Sequence, residues 1–315
     1  MSPMNSITEK LQRSWALFQS SVRVILEHPK LLIFPFVTGA LTSAIALFFL
    51  APVALILLAP HWVSGTHIQT IADRVGFLRL SNAGTFNFQL QPIGTTILAG
   101  IYLLNMFLAT LASVAFNAEI LEALTGQPVS IERGIATACR RWKPVLLWSL
   151  VAGVVGLIIR SLEERWALAG RAIAGLIGLA WSMASIFAIP ILARDTSVSS
   201  PFAILSKSAT AIKRTWGEML AGYVGMKGMN LVVLWASILC WLSVGLGTYL
   251  LSNPWILLMF GVPWLGAVIA YGYLTSIASR VYLCALYLYA SAGQVPAQYD
   301  ASMMAMGWKL KKQAK

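Results

Sequence analysis

Three times along this 315-residue chain a short basic, amphipathic segment leads into a pair of long apolar segments. The amphipathic pieces are residues 6–28, 130–143 and 200–217. The apolar spans follow at 31–59 and 94–118, then 144–159 and 172–193, then 229–250 and 255–278. A helix needs about 20 apolar residues to cross a hydrocarbon core of ~30 Å, and each span approaches or exceeds that length. Composition agrees: 58% of residues are hydrophobic and 11% charged, with a mean hydropathy of +0.75, whereas soluble domains carry about 25% charged residues. The expectation is an all-α membrane protein with six transmembrane helices and three cytoplasmic amphipathic interfacial helices. It forms one polytopic domain over 1–293, followed by a basic cytoplasmic tail over 294–315.

The net charge of +12 is distributed in a way that sets an orientation. Sixteen of the 23 Lys and Arg fall in residues 1–30, 122–143, 194–218 and 291–315, while the alternate segments hold only Arg74, Arg79, Arg160, Arg165 and Arg171. Basic residues accumulate on the cytoplasmic side of membrane proteins, so both termini are expected there. The surplus then meets anionic lipid headgroups, at about 1 kcal/mol per residue close to the surface, and a nucleic-acid partner is not expected.

Local signals agree with this layout. Ser6 and Glu9 fit a capping box, and Leu11, Trp15, Phe18 and Val22 lie on one helical face with Lys10, Arg13 and Arg23 off it. Pro29 disfavours helix at His28 and predicts a break before the first span. Ser130 caps the second amphipathic helix, with Ile131, Ile135, Ala138 and Trp142 as its stripe. Ser200-Pro201 opens the third, with Leu205, Ala209, Ile212 and Trp216. The recurring order suggests a threefold internal repeat. Between spans one and two, Leu78–Leu80 and Thr85–Leu90 alternate around Asn82-Ala83-Gly84, as a short hairpin does. The first apolar run is too long and starts too late for a cleavable signal peptide.

Catalytic and metal patterns are sparse. Cys139, Cys240 and Cys284 are scattered and read as free thiols. His61 and His67 share the external segment 60–92 with Asp73 as the nearby acid, short of a metal set. No metal or cofactor is expected, and no nucleophile elbow or phosphate-binding loop is present. Gly175 and Gly178 on span four, and Gly222, Gly225 and Gly228 before span five, read as small-residue packing surfaces.

Arg13-Ser14-Trp15-Ala16-Leu17-Phe18 before the first span resembles the opening of an uncharacterised bacterial family of six-span inner-membrane proteins, a domain of unknown function. Leu162–Arg165, Arg214–Glu218 and Ala285–Ala290 are similar stretches, and the resemblance covers about residues 6–293. The organisation is also similar to the membrane domain attached to some glycerophosphodiester phosphodiesterases. That enzyme's soluble catalytic domain has no counterpart here, so the resemblance implies an architecture and no active residues.

Ionisable residues close to lipid are the first place to look for function. Glu119, Glu122, Lys227 and Arg280 form a candidate inner-leaflet polar cluster, all near the cytoplasmic ends of their spans. The bland reading is interfacial anchoring with a Glu–Lys or Glu–Arg pair between helix ends; the functional one is a polar gate or headgroup site. Arg23, Arg140, Arg141, Lys143, Lys213 and Arg214 are candidate anionic-lipid contacts, and Trp15, Trp142 and Trp216 fit an interfacial aromatic belt. The reading is a non-enzymatic inner-membrane protein that engages lipid or organises partners at the cytoplasmic leaflet. The second reading is a small transporter or channel for a lipidic or amphipathic solute, suggested by the possible repeat and by Pro52, Pro190 and Pro263.

Overall fold

The computed structural model describes residues 3–58, 79–80, 86–87, 92–165, 168–253, 255 and 257–299. Helix α1 (Pro3–Glu27) carries the first amphipathic stripe and stops at His28, as Pro29 predicts. A single tight turn, Pro29–Leu32, redirects the chain by 102°, and α2 (Ile33–Leu58) leaves as the first long apolar helix. At 1.5 Å per residue its 26 residues extend about 39 Å. Two short strands follow, β1 (Arg79–Leu80) and β2 (Phe86–Asn87), paired antiparallel with Arg79 opposite Asn87 and Leu80 opposite Phe86. His61, His67 and Asp73 lie outside the described residues.

Helix α3 (Pro92–Leu124) contains the second span and continues past it. It ends on Gly126 at φ +80°, which lets the Gln127 amide reach Glu122 O at 2.9 Å and the Gly126 amide reach Ala123 O at 3.1 Å. Both orphan carbonyls are thereby satisfied, and a side chain at Gly126 would be strained. Helix α4 (Ile131–Arg140) is the second amphipathic piece. Arg141, at φ −107° and ψ 22°, separates it from α5 (Trp142–Arg165). The fourth span is split into α6 (Leu168–Ala184) and α7 (Ala188–Arg194). The break at Ser185–Phe187 precedes Pro190, whose ring has no amide and crowds the carbonyl four residues back. The Phe187 amide bonds Ser208 Oγ at 3.3 Å instead.

Helix α8 (Pro201–Leu251) corrects one expectation. The third amphipathic segment, 200–217, and the fifth span, 229–250, are one continuous helix rather than two. No proline interrupts residues 202–251, and glycine in a helix costs only about 1 kcal/mol, too little to break one that packs elsewhere. The amphipathic-to-apolar junction thus differs in each unit: a 102° bend, a one-residue break, and none. Ser252 in the left-handed region ends α8. A wide turn at Leu257–Gly261 leads into α9 (Val262–Ala292), which stops at Gly293 with φ +67°.

Five stretches are long and apolar enough to cross a membrane: Ala99–Leu124, Trp142–Glu163, Arg171–Arg194, Asn230–Leu251 and Leu257–Ala292. The bent pair Trp15–Glu27 and Pro29–Ile45 makes a sixth if it counts as one span. Their outer surfaces carry Leu231, Trp235, Leu239, Leu242, Leu258 and Phe260, an apolar exposure that water does not tolerate but hydrocarbon does. The buried core gathers elsewhere, in Val24–Phe34, Val114–Trp148, Phe187–Ile212 and Ile277–Tyr299. These segments place the core at one end of the bundle, where the amphipathic helices meet the ends of the long ones. On leaving α9 the chain folds back over α1. Tyr299 Oη and Ser21 Oγ lie 2.8 Å apart in the interior, and Gln298 Nε2 donates to Glu27 Oε2 at 2.8 Å.

Candidate functional site

Within that core end, Glu119 is 1% exposed on α3, and three donors hold it. Arg133 donates from Nε to Oε1 at 2.9 Å and from Nη2 to Oε2 at 2.7 Å, and the Ser130 amide adds 2.7 Å to Oε2. Such a two-pronged guanidinium–carboxylate pair is among the stronger charge-assisted contacts. Arg133 Nη2 also reaches Pro128 O at 2.7 Å. The hydrogen bonds it donates to Glu119 hold the Arg133 guanidinium above its ordinary pKa, against a smaller opposing effect of burial. The local sequence explains the arrangement. Ser130 caps α4 by accepting the Arg133 amide at 3.4 Å, which fixes Arg133 in the first turn beside the end of α3. Gly134 then lets α4 lie directly on Glu119.

Of the other members of the expected cluster, the side chains of two are described. Glu122 is half-buried one turn on, acting on Arg133 through its charge alone, and the Lys227 side chain lies outside the described residues. Arg280 sits over the Phe116 ring, 5.8 Å from its centroid, and Phe116 stacks on Phe34 at 5.5 Å. Next to Phe116, Asn117 donates to Ser113 O at 2.7 Å and accepts from Cys284 Sγ at 3.1 Å. The arrangement is therefore a Glu119–Arg133 clamp joining α3 to α4, with a separate Phe34–Phe116–Arg280 stack joining α2, α3 and α9. Arg133 lies off the Ile131–Ile135–Ala138 stripe of its helix, so apolar periodicity alone does not single it out.

The six candidate lipid contacts divide into two kinds. Arg141 is half-buried and donates to Leu192 O at 2.5 Å and Val198 O at 2.9 Å. Burial pushes its guanidinium below its ordinary pKa. Arg214 donates from Nη1 to Ala290 O at 3.0 Å. Leu192 and Ala290 lie in the last turns of α7 and α9, whose carbonyls lack intrahelical partners, so both arginines serve as helix C-terminal caps. Arg214 is itself exposed, as are Arg23, Arg140, Lys143 and Lys213, whose side chains have no hydrogen bond within the fold among the described residues. Lys143 lies 5.8 Å over the half-exposed Trp142 ring, with Ile135 also facing outward. Trp15, likewise exposed, stacks on Phe18 at 5.6 Å; the Trp216 side chain lies outside the described residues.

Another polar contact borders this end. Lys207 Nζ meets Asp195 Oδ2 at 2.5 Å, and Ser197 donates to Asp195 Oδ1 through both its amide and its hydroxyl. Burial raises the Asp195 pKa, but the Lys207 and Ser197 hydrogen bonds outweigh it and hold the carboxyl below its usual range. Among the described residues no three His, Cys, Asp or Glu side chains are grouped as a metal would need. Of the glycines expected to line packing surfaces, Gly178 makes ordinary contact with Ile159 and Gly175 faces open space. The glycine set for close approach is Gly134.

No curated protein and no solved structure matches the chain. A match to one protein family runs over residues 92–297, from the start of α3 to beyond α9, and so takes in the Glu119–Arg133 clamp, both arginine caps and the Phe116–Arg280 contact. That covers more than half of the sequence, and the chain belongs to this family of unknown function (DUF6159).

Proposed function

We propose that this is a non-enzymatic integral protein of the bacterial inner membrane, with both termini cytoplasmic, that engages anionic lipid headgroups along its cytoplasmic face. One observation carries the reading: the basic surplus at the core end splits into residues hydrogen-bonded within the fold and exposed residues with no such hydrogen bond among the described residues. Arg133, Arg141 and Arg214 hold the fold together. Arg140, Lys143, Lys213 and Arg23 are exposed, Lys143 over the Trp142 ring, and Ile135 and Trp15 are exposed as well, a mixture of cation and aromatic suited to a headgroup layer. The sixteen-to-five bias of basic residues supports the cytoplasmic assignment. The buried carboxylate supports the non-enzymatic one, because both Glu119 oxygens are occupied by Arg133 and Ser130, which leaves a structural anchor rather than a free base.

The test is lipid selectivity. Spin-labelled phosphatidylglycerol and phosphatidylcholine are compared for the fraction immobilised at the surface of the reconstituted full-length protein. The expected result is a preference for phosphatidylglycerol that falls to parity in the Arg140→Glu/Lys143→Glu/Lys213→Glu variant. It should also weaken with salt, since the screening length is already about 10 Å at 0.1 M. An unchanged preference in that variant overturns the proposal.

A further inference from the structure

Between the apolar half of α8 and the facing part of α9 runs a groove of about 380 Å³. Asn230 and Ser237 line it from α8; Tyr271, Thr275, Ser276 and Ser279 line it from α9. All lie within stretches apolar enough to cross a membrane. Their spacings, seven residues on α8 and four, one and three on α9, bring these hydroxyls and the amide to one side of each helix. No described lining residue is charged.

The groove's polar groups are incompletely satisfied. Tyr271 donates across it to Asn230 Oδ1 at 3.2 Å, which leaves both Asn230 amide hydrogens without an acceptor among the described residues. Thr110, Thr137 and Thr248 each donate to the carbonyl four residues back, the usual solution for a helical threonine. Thr275 does not: it is 3% exposed and its Oγ1 has no partner among the described residues. Hydrocarbon offers such groups nothing to bond.

We infer that the α8–α9 groove is a lateral binding site for the uncharged hydroxyl- and ester-bearing head of a membrane lipid. Val233, Leu234 and Val268 give the site apolar walls for the start of the acyl chains, and the Thr275 hydroxyl and Asn230 amide meet the head, since Ser237 and Ser279 donate to Val233 O and Thr275 O on their own helices. Gly272 leaves its floor open, since a Cβ built there meets no atom within 4 Å. Lack of charge separates this site from the exposed cations of the cytoplasmic face, and the inference stands without that proposal.

The experiment uses the full chain in phosphatidylethanolamine nanodiscs carrying a photoactivatable diacylglycerol. The comparison probe is an alkane bearing the same photoreactive chain and no polar head. The diacylglycerol is expected to label peptides containing residues 230–237 and 268–279 several-fold more than the alkane does. Thr275→Val, which keeps the shape, and Gly272→Leu, which fills the groove, each reduce labelling to the alkane level; Thr275→Ser retains it. Equal labelling by the two probes, or labelling unchanged by Thr275→Val and Gly272→Leu, overturns the inference. So does cross-linking of Ser276→Cys between copies in place of lipid labelling.

Discussion

A Cβ on Gly134 would sit 2.8 Å from Glu119 Cγ and 2.9 Å from the Ala115 carbonyl. The absence of a side chain on α4 is what allows the Glu119–Arg133 clamp to close, so the glycine and the carboxylate act as one structural unit. The backbone of α3 is among the atoms in the way, and a side chain's rotation cannot relieve that.

Gly134→Ala is therefore expected to destabilise the protein even though alanine favours helix by about 1 kcal/mol over glycine. Overpacking of this kind costs roughly 1–3 kcal/mol. Thermal unfolding of the detergent-purified protein reads the change; a melting temperature at or above wild type contradicts the close approach.

Removing one partner of the clamp should hurt more than removing both. Arg133→Met strands the buried carboxylate with the Ser130 amide as its remaining donor; because Arg133 is 40% exposed, the cost is expected to fall below the roughly 3–5 kcal/mol of a fully buried pair. The double variant Glu119→Leu/Arg133→Met removes the stranded charge and is expected to recover a large part of that loss. A double variant less stable than Arg133→Met would show that the pair contributes net stabilisation beyond neutralising its own charge.

Asp195 gives a pH signature. Its folded-state pKa is depressed, so the stability it supplies with Lys207 is fully present above the unfolded carboxyl value of about 3.9. That stability is lost as pH falls through the lower folded value. Lys207→Met is expected to lower stability near neutrality and to flatten this acid limb of the melting-temperature profile. The half-exposed lysine means that salt should blunt the same difference. Parallel wild-type and variant profiles from neutrality down to acid would remove the assignment.

The segment after α9 should act on α1. Truncation after Gly293 removes Tyr299 from Ser21 and Gln298 from Glu27. Hydrogen exchange over residues 15–27 is expected to accelerate in that variant while α4 and α5 are unaffected. Unaltered protection in α1 would show that these contacts do not hold it.

Much of the helical layout was legible because it depends on long apolar runs and on single residues with strong backbone effects. Pro29 marks the break after α1 and Ser130 starts α4. The unbroken α8 was not legible, because the change from amphipathic to apolar pattern reads as a boundary even though no proline breaks the helix there. The clamp was hidden for a related reason. Apolar periodicity reports which face of a helix is buried, and Arg133 lies off that face while still reaching over the edge to Glu119. Arg141 and Arg214 looked equivalent to Arg140 and Lys213 in charge and position. Only packing determines which of them meet the carbonyls of Leu192 and Ala290.

Cys139 offers the most direct test of the central claim, that the core end with its outward-facing cations lies at the cytoplasmic leaflet. It is exposed and adjacent to Arg140, while Cys284 is buried. In a Cys240→Ser background, a membrane-impermeant maleimide should label Cys139 in inverted membrane vesicles and leave it unlabelled in right-side-out spheroplasts. Labelling from the outside of intact spheroplasts would contradict the account.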